Sequence, residues 1–319
     1  MNKNSLIIFR FYQTIVVYSP IIQYNKITKS QFCKTKNKEE SILKEPSTLI
    51  GIVLALVAVG VGMVLKGASI TALLNPAAYL IIFVGTAAAL FVSFPMSELK
   101  KFPKLIKIIF GGGQKVPSKT EIIDSFTKWA TLVRKEGLLG LENELTNIED
   151  PFLKQGMELI IDTTDSEFSE DVLLEKVSAI QERHRKGALI FSQAGTYAPT
   201  LGVLGAVVGL IAALGNLADV EKLGHSIAAA FIATLLGIFS GYVLWHPMSN
   251  KLKLLSKREI EIRHIMVEGL LSLQEGLNSR QLEHKLNVYL TPDELVQKYA
   301  HTGTNEEVSS GQEKASYSS

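Results

Sequence analysis

The chain has 319 residues, with 33 basic and 31 acidic side chains and a formal net charge of +2 at pH 7. Because acids are interspersed among the basic residues, this balance argues against a nucleic-acid-binding surface. The single cysteine, Cys33, excludes an intramolecular disulfide framework and a cysteine-rich metal site. Apolar residues make up 47% of the chain, so their distribution decides the class of protein.

Four stretches of the chain contain no Asp, Glu, Lys or Arg. They are residues 46–65, 76–97, 187–218 and 226–245. Each is long enough for a helix to cross the roughly 30 Å hydrocarbon core of a bilayer. The sequence therefore predicts an all-α membrane protein with four transmembrane helices.

The charges of the connecting segments predict the orientation, because Lys and Arg near helix ends are retained on the cytoplasmic side. Loops 66–75 and 219–225 each contain a single lysine and are expected to face outward. Clusters of basic residues follow the second and fourth membrane helices. They are Lys100, Lys101, Lys104 and Lys107 after the second, and Lys251, Lys253, Lys257 and Arg258 after the fourth. Both termini and the segment between the second and third helices are therefore expected in the cytoplasm.

The N-terminal residues 1–46 differ from the rest of the chain, since a lysine-rich run follows their apolar part and no signal-peptide cleavage site is visible. We interpret them as an accessory or mistranslated leader, with an interfacial helix as the alternative. The predicted organisation continues in chain order. Residues 47–97 form membrane helices 1 and 2, 98–186 a cytoplasmic helical domain, 187–248 membrane helices 3 and 4, 249–298 cytoplasmic C-terminal helices and 299–319 a disordered tail.

Two helix starts are predicted inside the cytoplasmic domain. Ser118 and Glu121 have the spacing of a capping box before an amphipathic run. Asp150 followed by Pro151 is typical of an N-cap with proline in the first turn. Apolar residues recur at helical spacing after the first start, from Ile122 to Val133, so we expect them to form the core stripe of this domain.

The third membrane helix is expected to project into the cytoplasm, because its 32 uncharged residues would span about 48 Å as a helix. Pro199 lies inside it and is predicted to kink it, whereas Pro247 is interpreted as marking the end of the fourth helix. Small residues on both helices predict close helix packing. They are Gly202, Gly205, Gly209, Gly237 and Gly241.

No catalytic constellation or metal-ligand spacing is visible, so the sequence predicts neither an enzyme nor a metal or cofactor site. The centres of the membrane helices also lack the ionisable side chains that usually mark an ion path. Hydroxyls such as those of Thr200 and Thr234 could line a wet path. If the protein moves protons, a partner must therefore supply the carboxylate.

Three stretches carry a resemblance to a known family. They are STLIGIVLALVAVGVGMVLKG, AGTYAPTLGVLGAVVGLIAAL and LGHSIAAAFIATLLGIFSGYVLWHPMSNKLK. They closely resemble the MotA family, the larger stator subunits of the bacterial flagellar motor. The resemblance covers roughly residues 47–295, and the leader departs from it.

This resemblance implies a function and a set of partners. MotA-like subunits form a ring, implied to be a pentamer, around a dimer of motility protein B in the bacterial inner membrane. The single transmembrane helix of that partner carries the proton-binding Asp. Proton passage then changes the cytoplasmic domain, which generates torque on the rotor protein FliG. No cofactor is implied.

The resemblance also implies roles for individual residues. Arg134 and Glu142 match a charged pair that engages FliG, and Pro199 and Pro247 match prolines that couple conformational change to ion flow. Thr234 matches a threonine that faces the ion path. Each role competes with a structural one, such as a solvated helix surface for the charges or a bond to the helix backbone for the threonine hydroxyl.

Two alternatives remain open from the sequence. One is an energiser of the ExbB/TolQ type, which uses a similar ring and partner helix for another envelope process. The other is a membrane scaffold that conducts no ions. The pattern favours a proton-driven stator over a sodium-driven one, and Arg134 with Glu142 favours a stator over an energiser.

Overall fold

The computed structural model describes residues 47–111 and 117–299. The predicted leader 1–46 lies outside these ranges, as does all but the first residue of the predicted tail 299–319. Within the described ranges the chain is helical with short connecting turns, and four helical runs are long and apolar enough to cross a membrane. The expected all-α architecture is therefore confirmed.

The first two membrane helices lie on either side of a short outer loop. Helix α1, Ser47–Leu65, buries none of its residues within the chain. Helix α2 runs through Pro76–Tyr79, a π-helical stretch Leu80–Val84 and then Gly85–Ser93. It ends earlier than the uncharged run that predicted it, because Phe94 precedes a proline and adopts an extended backbone, with φ −128° and ψ 141°.

A short interfacial region follows α2. Helices α3, Met96–Leu99, and α4, Phe102–Gly111, lead away from the membrane span. Phe102 stacks on Phe191 with ring centroids 5.0 Å apart, and Trp245 lies 6.4 Å from Phe102. Aromatic side chains collect where a membrane helix enters the headgroup region, so this aromatic cluster indicates the cytoplasmic boundary.

The cytoplasmic domain begins with α5, Lys119–Glu136, and the predicted capping box between Ser118 and Glu121 is present. Gly137 ends α5 with a positive φ of 76°, and the 3₁₀ segment Leu138–Thr146 follows. Helix α6, Pro151–Asp162, starts as predicted, because the Asp150 carboxylate accepts hydrogen bonds from two N–H groups of its first turn.

Two very long helices connect the membrane to this domain. Helix α7, Ser166–Leu214, has 49 residues, and α8, Val220–Gln274, has 55. The interpretation of Pro247 as the end of the fourth helix is wrong, since α8 passes through it and continues to Gln274. After α8 the chain forms α9, Ser279–Asn287, and a last helix over residues 292–299.

The cytoplasmic core forms where the inner ends of α7 and α8 meet α5 and α6. Phe126, Met157, Leu173 and Ile265 come from these four helices and are completely buried. Burying large apolar side chains stabilises such a domain by about 1.5–3 kcal/mol for each. The core therefore fixes α5 and α6 on the extensions of the membrane helices.

Candidate functional site

Helices α7 and α8 cross the membrane region in close contact along a row of small residues, here called the hairpin interface. On α7 the row has the helical spacing 195, 202, 205 and 209, which places these positions on one face. Its members are Gly195, Gly202, Gly205 and Gly209 on α7, and Ala230, Ala233, Gly237 and Gly241 on α8.

The two backbones approach most closely at Gly202 and Gly237. A Cβ atom placed on Gly237 would lie 2.7 Å from the Gly202 Cα and 2.8 Å from the Ala198 carbonyl oxygen. Because these neighbours are backbone atoms, they cannot move aside as a flexible side chain could. This crossing accepts only glycine at position 237.

One turn further toward the cytoplasm, Pro199 packs into the space left by Gly241. A Cβ atom on Gly241 would lie 2.6 Å from the Pro199 Cγ and 2.8 Å from the Gly195 carbonyl oxygen. Proline also removes a hydrogen bond from the interior of α7. The position on α7 where proline removes this hydrogen bond therefore lies in direct contact with α8.

Helix α8 widens into a π-helical stretch, Ser240–Trp245, immediately before Pro247. The His246 N–H donates to the Gly241 carbonyl five residues earlier, in place of the usual four. His246, at the end of this stretch, contacts α7 at Gly195, while Trp245 contacts α7 at Phe191. The His246 imidazole fills the gap at Gly195, where a Cβ atom would lie 2.8 Å from the ring.

Gly195 and His246 were not predicted as members of the interface. The sequence signal for Gly195 was its spacing of seven from Gly202, which continues the small-residue row by two turns. His246 carried no such signal, since it joins the interface only through the π-helical register shift.

Both threonines predicted to line an ion path donate hydrogen bonds to their own helices. The Thr234 hydroxyl donates to the Ala230 carbonyl at 3.4 Å, and that of Thr200 donates to the Tyr197 carbonyl at 2.7 Å. Thr200 is exposed and Thr234 half-buried. Each hydroxyl oxygen keeps a lone pair that can accept a further hydrogen bond from water or a partner.

The membrane part of the hairpin holds no carboxylate. Residues 187–218 and 226–250 contain no Asp, Glu, Lys or Arg, and their titratable side chains are Tyr197, Tyr242 and His246. A carboxylate is the group that commonly carries protons through transmembrane segments. The membrane part of the hairpin can therefore form the wall of a proton path but supplies no carboxylate to it.

Arg134 and Glu142 lie on consecutive elements at one end of the cytoplasmic domain. Arg134 occupies the last turn of α5, Gly137 reverses the chain, and Glu142 follows in the 3₁₀ segment. Both side chains are exposed, whereas Leu141 between them is completely buried and anchors the segment. The structure thus presents the two charges to solvent on an anchored surface.

A buried cation inside the cytoplasmic domain was missed by the sequence analysis. The Arg263 guanidinium of α8 donates to the Asp150 carboxylate at 2.6 Å and lies 3.4 Å from Glu259. Its central carbon is also 5.1 Å from the centre of the Phe152 ring, a cation–π geometry. The signal was an arginine in an apolar run with Ile262, Ile265 and Met266.

Arg263 connects α8 to the loop that follows the segment carrying Glu142. Asp150 caps α6 and lies four residues after the end of the 3₁₀ segment Leu138–Thr146. The Arg263 side chain is only 8% exposed, so water screens its ion pair weakly. A hydrogen-bonded ion pair therefore joins α8 to Asp150 at the start of α6.

Within residues 47–111 and 117–299, no three side chains of His, Cys, Asp or Glu converge as a metal site.

Two family profiles match the chain. The Motility protein A N-terminal profile matches residues 49–137, and the MotA/TolQ/ExbB proton channel family profile matches residues 144–265. Motility protein A from Bacillus subtilis is 50% identical over 270 residues, which are 85% of this chain and 98% of that protein. Chemotaxis protein PomA from Vibrio alginolyticus is 29% identical over 244 residues, 76% of this chain and 94% of its own length.

Two solved structures of related proteins are also similar to this chain. The flagellar MotAB stator complex from Bacillus subtilis matches with a TM-score of 0.74 and 52% identity, over 78% of this chain and 97% of the matched chain. MotAB from C. jejuni matches with a TM-score of 0.73 and 31% identity, over the same fractions of the two chains.

Within residues 47–111 and 117–299 the chain has four membrane helices, a long hairpin whose membrane part holds no carboxylate, and a helical cytoplasmic domain, and together with its relatives these features define a multi-pass subunit of an ion-driven membrane complex. The chain belongs to the MotA/TolQ/ExbB proton channel family, and within it to the motility protein A group.

Proposed function

We propose that the chain is the larger stator subunit of a flagellar motor, resident in the inner membrane of a bacterium. Copies of it form a ring, of five copies in this family, around a MotB-type dimer. The complex converts proton flow into torque on the rotor protein FliG. The observation that carries this proposal is the tightly packed hairpin whose membrane part holds no carboxylate, because a proton path along such a wall needs the Asp of a partner helix.

Two findings favour a stator over an energiser of another envelope process. Residues 49–137 match the Motility protein A N-terminal profile, and the similar solved structure from Bacillus subtilis is a flagellar MotAB stator complex. The description of the matched family as proton channels supports protons as the coupling ion.

In the proposed mechanism the partner's Asp takes up a proton beside Thr200 and Thr234, whose hydroxyl oxygens can accept hydrogen bonds while they donate to their own helices. Neutralising that Asp changes its attraction to the hairpin wall, and the hairpin responds where Pro199 meets Gly241. Helix α8 carries this motion into the cytoplasmic domain, since it is continuous to Gln274.

The cytoplasmic domain then acts on the rotor. Arg263 transfers the displacement of α8 to Asp150 and so to the base of the Leu138–Thr146 segment. Arg134 and Glu142 present a positive and a negative charge at the exposed end of the domain. Complementary charges on FliG would steer and hold this contact.

Charge reversal at Arg134 and Glu142 tests the rotor contact. We expect the Arg134→Glu, Glu142→Lys variant to assemble normally but to lose most swimming speed, because two attractive contacts become repulsive. Reversing the matching FliG charges should restore most of that speed. The assay is the rotation of tethered cells, with Lys128→Glu as the matched control, since Lys128 is an exposed cation earlier on α5. Unchanged torque in the double variant would refute the assignment.

The proline proposal makes a separate prediction. Pro199→Ala and Pro247→Ala each restore a backbone donor without adding bulk, so we expect normal complex formation but at least a tenfold loss of torque. Motor rotation and the yield of purified complex are measured together. Val203→Leu, an exposed position on α7, is the control. If the alanine variants fail to accumulate, the prolines serve the fold and the coupling role is rejected.

A further inference from the structure

A basic groove lies between α7 and α8 on the cytoplasmic side of the membrane segment. It encloses about 450 Å³ and is lined by residues 181, 184, 185 and 188 of α7 and 253, 256, 257 and 260 of α8. Both sets have the spacing i, i+3, i+4, i+7, so each helix contributes one continuous face. Ala188 and Ile260 are buried in its floor.

Three permanent cations surround this floor: Arg185, Lys253 and Lys257. Arg185 is paired with Glu182 on its own helix, through bonds of 2.6 and 2.8 Å. In the described part of the chain neither lysine takes part in an ion pair. The groove thus has an excess of positive charge and N–H donors, which suits an anionic ligand.

His184 closes the inner wall of the groove in its neutral form. Its Nδ1 lies 3.1 Å from the Ser256 hydroxyl, and burial lowers the pKa of the imidazole, although Glu259 opposes that shift. Neutral imidazole and hydroxyl groups can supply hydrogen bonds to an oxyanion without adding charge. The groove is therefore a polar pocket with cations at its edge.

Two neighbouring features place the groove, by inference, near the lipid headgroups. The Ser249 hydroxyl donates to the Ala188 carbonyl at 2.8 Å, so these two residues define the membrane end of the groove. The aromatic cluster of Phe102, Phe191 and Trp245 is adjacent on the bilayer side. Arg185 lies about 9 Å of helix before Phe191, and Lys253 lies about 12 Å after Trp245, both on the cytoplasmic side. Long basic side chains at such positions can extend back toward the interface.

We propose that this groove binds the phosphodiester headgroup of an anionic phospholipid of the inner leaflet, with Lys253 and Lys257 as its principal contacts. Basic pockets between helices on the cytoplasmic side are suited to such headgroups. The bound lipid neutralises the two lysines and joins α7 to α8 just below the hairpin interface. This site is independent of the carboxylate-bearing partner and of the rotor contact.

The proposal is tested by native mass spectrometry of the complete stator complex, purified with its MotB-type partner. The probes are phosphatidylglycerol and phosphatidylcholine added to delipidated complex. We expect wild type to retain phosphatidylglycerol selectively and Lys253→Gln, Lys257→Gln to bind it about thirtyfold more weakly, from roughly 1 kcal/mol for each lysine. The control, Lys104→Gln, Lys107→Gln, removes two exposed lysines of α4 outside the groove and should leave binding unchanged.

Three outcomes would overturn the proposal. Equal loss of lipid in the groove and control variants would indicate nonspecific lipid around the complex. Displacement of the lipid by inorganic phosphate at millimolar concentration would indicate a soluble phosphate as the ligand. Unchanged lipid binding with a changed number of copies in the ring would assign the groove to a neighbouring copy of this chain.

Discussion

Gly237→Val is expected to prevent assembly of the complex and to abolish motility. The new Cβ atom would lie 2.7 Å from the Gly202 Cα and 2.8 Å from the Ala198 carbonyl oxygen. Inserting bulk into packed interiors costs about 1–3 kcal/mol when side chains can adjust, and more is expected here because backbone atoms block the site. The two helices would have to separate, which would also remove the contacts of Pro199 and His246.

The yield of complex that copurifies with the MotB-type partner measures this effect, together with swarming on soft agar. Gly60→Val is the matched control, since Gly60 also lies in a membrane helix but a Cβ atom there meets nothing within 4 Å. We expect near-normal yield for the control. Equal yields of the two variants would mean that the Gly202–Gly237 contact is not required for assembly.

Arg263→Met is expected to have the largest effect in the cytoplasmic domain. Removing one partner of a buried ion pair costs about 3–5 kcal/mol, because the remaining charges stay buried without compensation. Here the side chains left behind are Asp150, 16% exposed, and Glu259, 14% exposed. Hydrogen exchange should show faster opening of the first turn of α6, and torque should be lost.

A triple variant separates the charge from the packing. In Arg263→Met, Asp150→Asn, Glu259→Gln no buried charge is left unpaired, and asparagine still caps α6. We expect protection of α6 to recover toward the wild-type level. The exposed Arg280 provides the control Arg280→Met, which should behave as wild type. If the triple variant is as unstable as the single one, the contribution of Arg263 lies in its packing on Phe152 and Met266 rather than in its charge.

The membrane helices could be predicted from the sequence because exclusion of charge from lipid is a strong local constraint. The caps at Ser118 and Asp150 could also be predicted, since each depends on side chains within three residues of the helix start. The continuation of α8 beyond Pro247 could not be predicted from the sequence. Proline after an apolar run favours a helix end locally, but the π-helical stretch before Pro247 and the contacts with α7 keep the helix continuous.

The residues of the candidate site also fall into two groups, those that local sequence identifies and those that depend on contacts between distant segments. Glycines on the third and fourth helices could be identified from composition, but the pairing of Gly202 with Gly237 depends on how the helices cross. The contact between Arg263 and Asp150 joins positions 113 residues apart, and no local pattern encodes it. The functional roles of Arg134, Glu142, Pro199, Pro247, Thr200 and Thr234 stay predictions.

Because α8 is continuous, its length determines how far a tilt at the membrane boundary would displace its cytoplasmic end. From Pro247 to Gln274 the helix extends about 40 Å at 1.5 Å per residue. A tilt of about 5° at the membrane boundary would therefore swing its inner end sideways by about 3.5 Å, close to the spacing of consecutive Cα atoms. A small tilt at the contact of Pro199 with Gly241 would thus be magnified by the length of the helix alone.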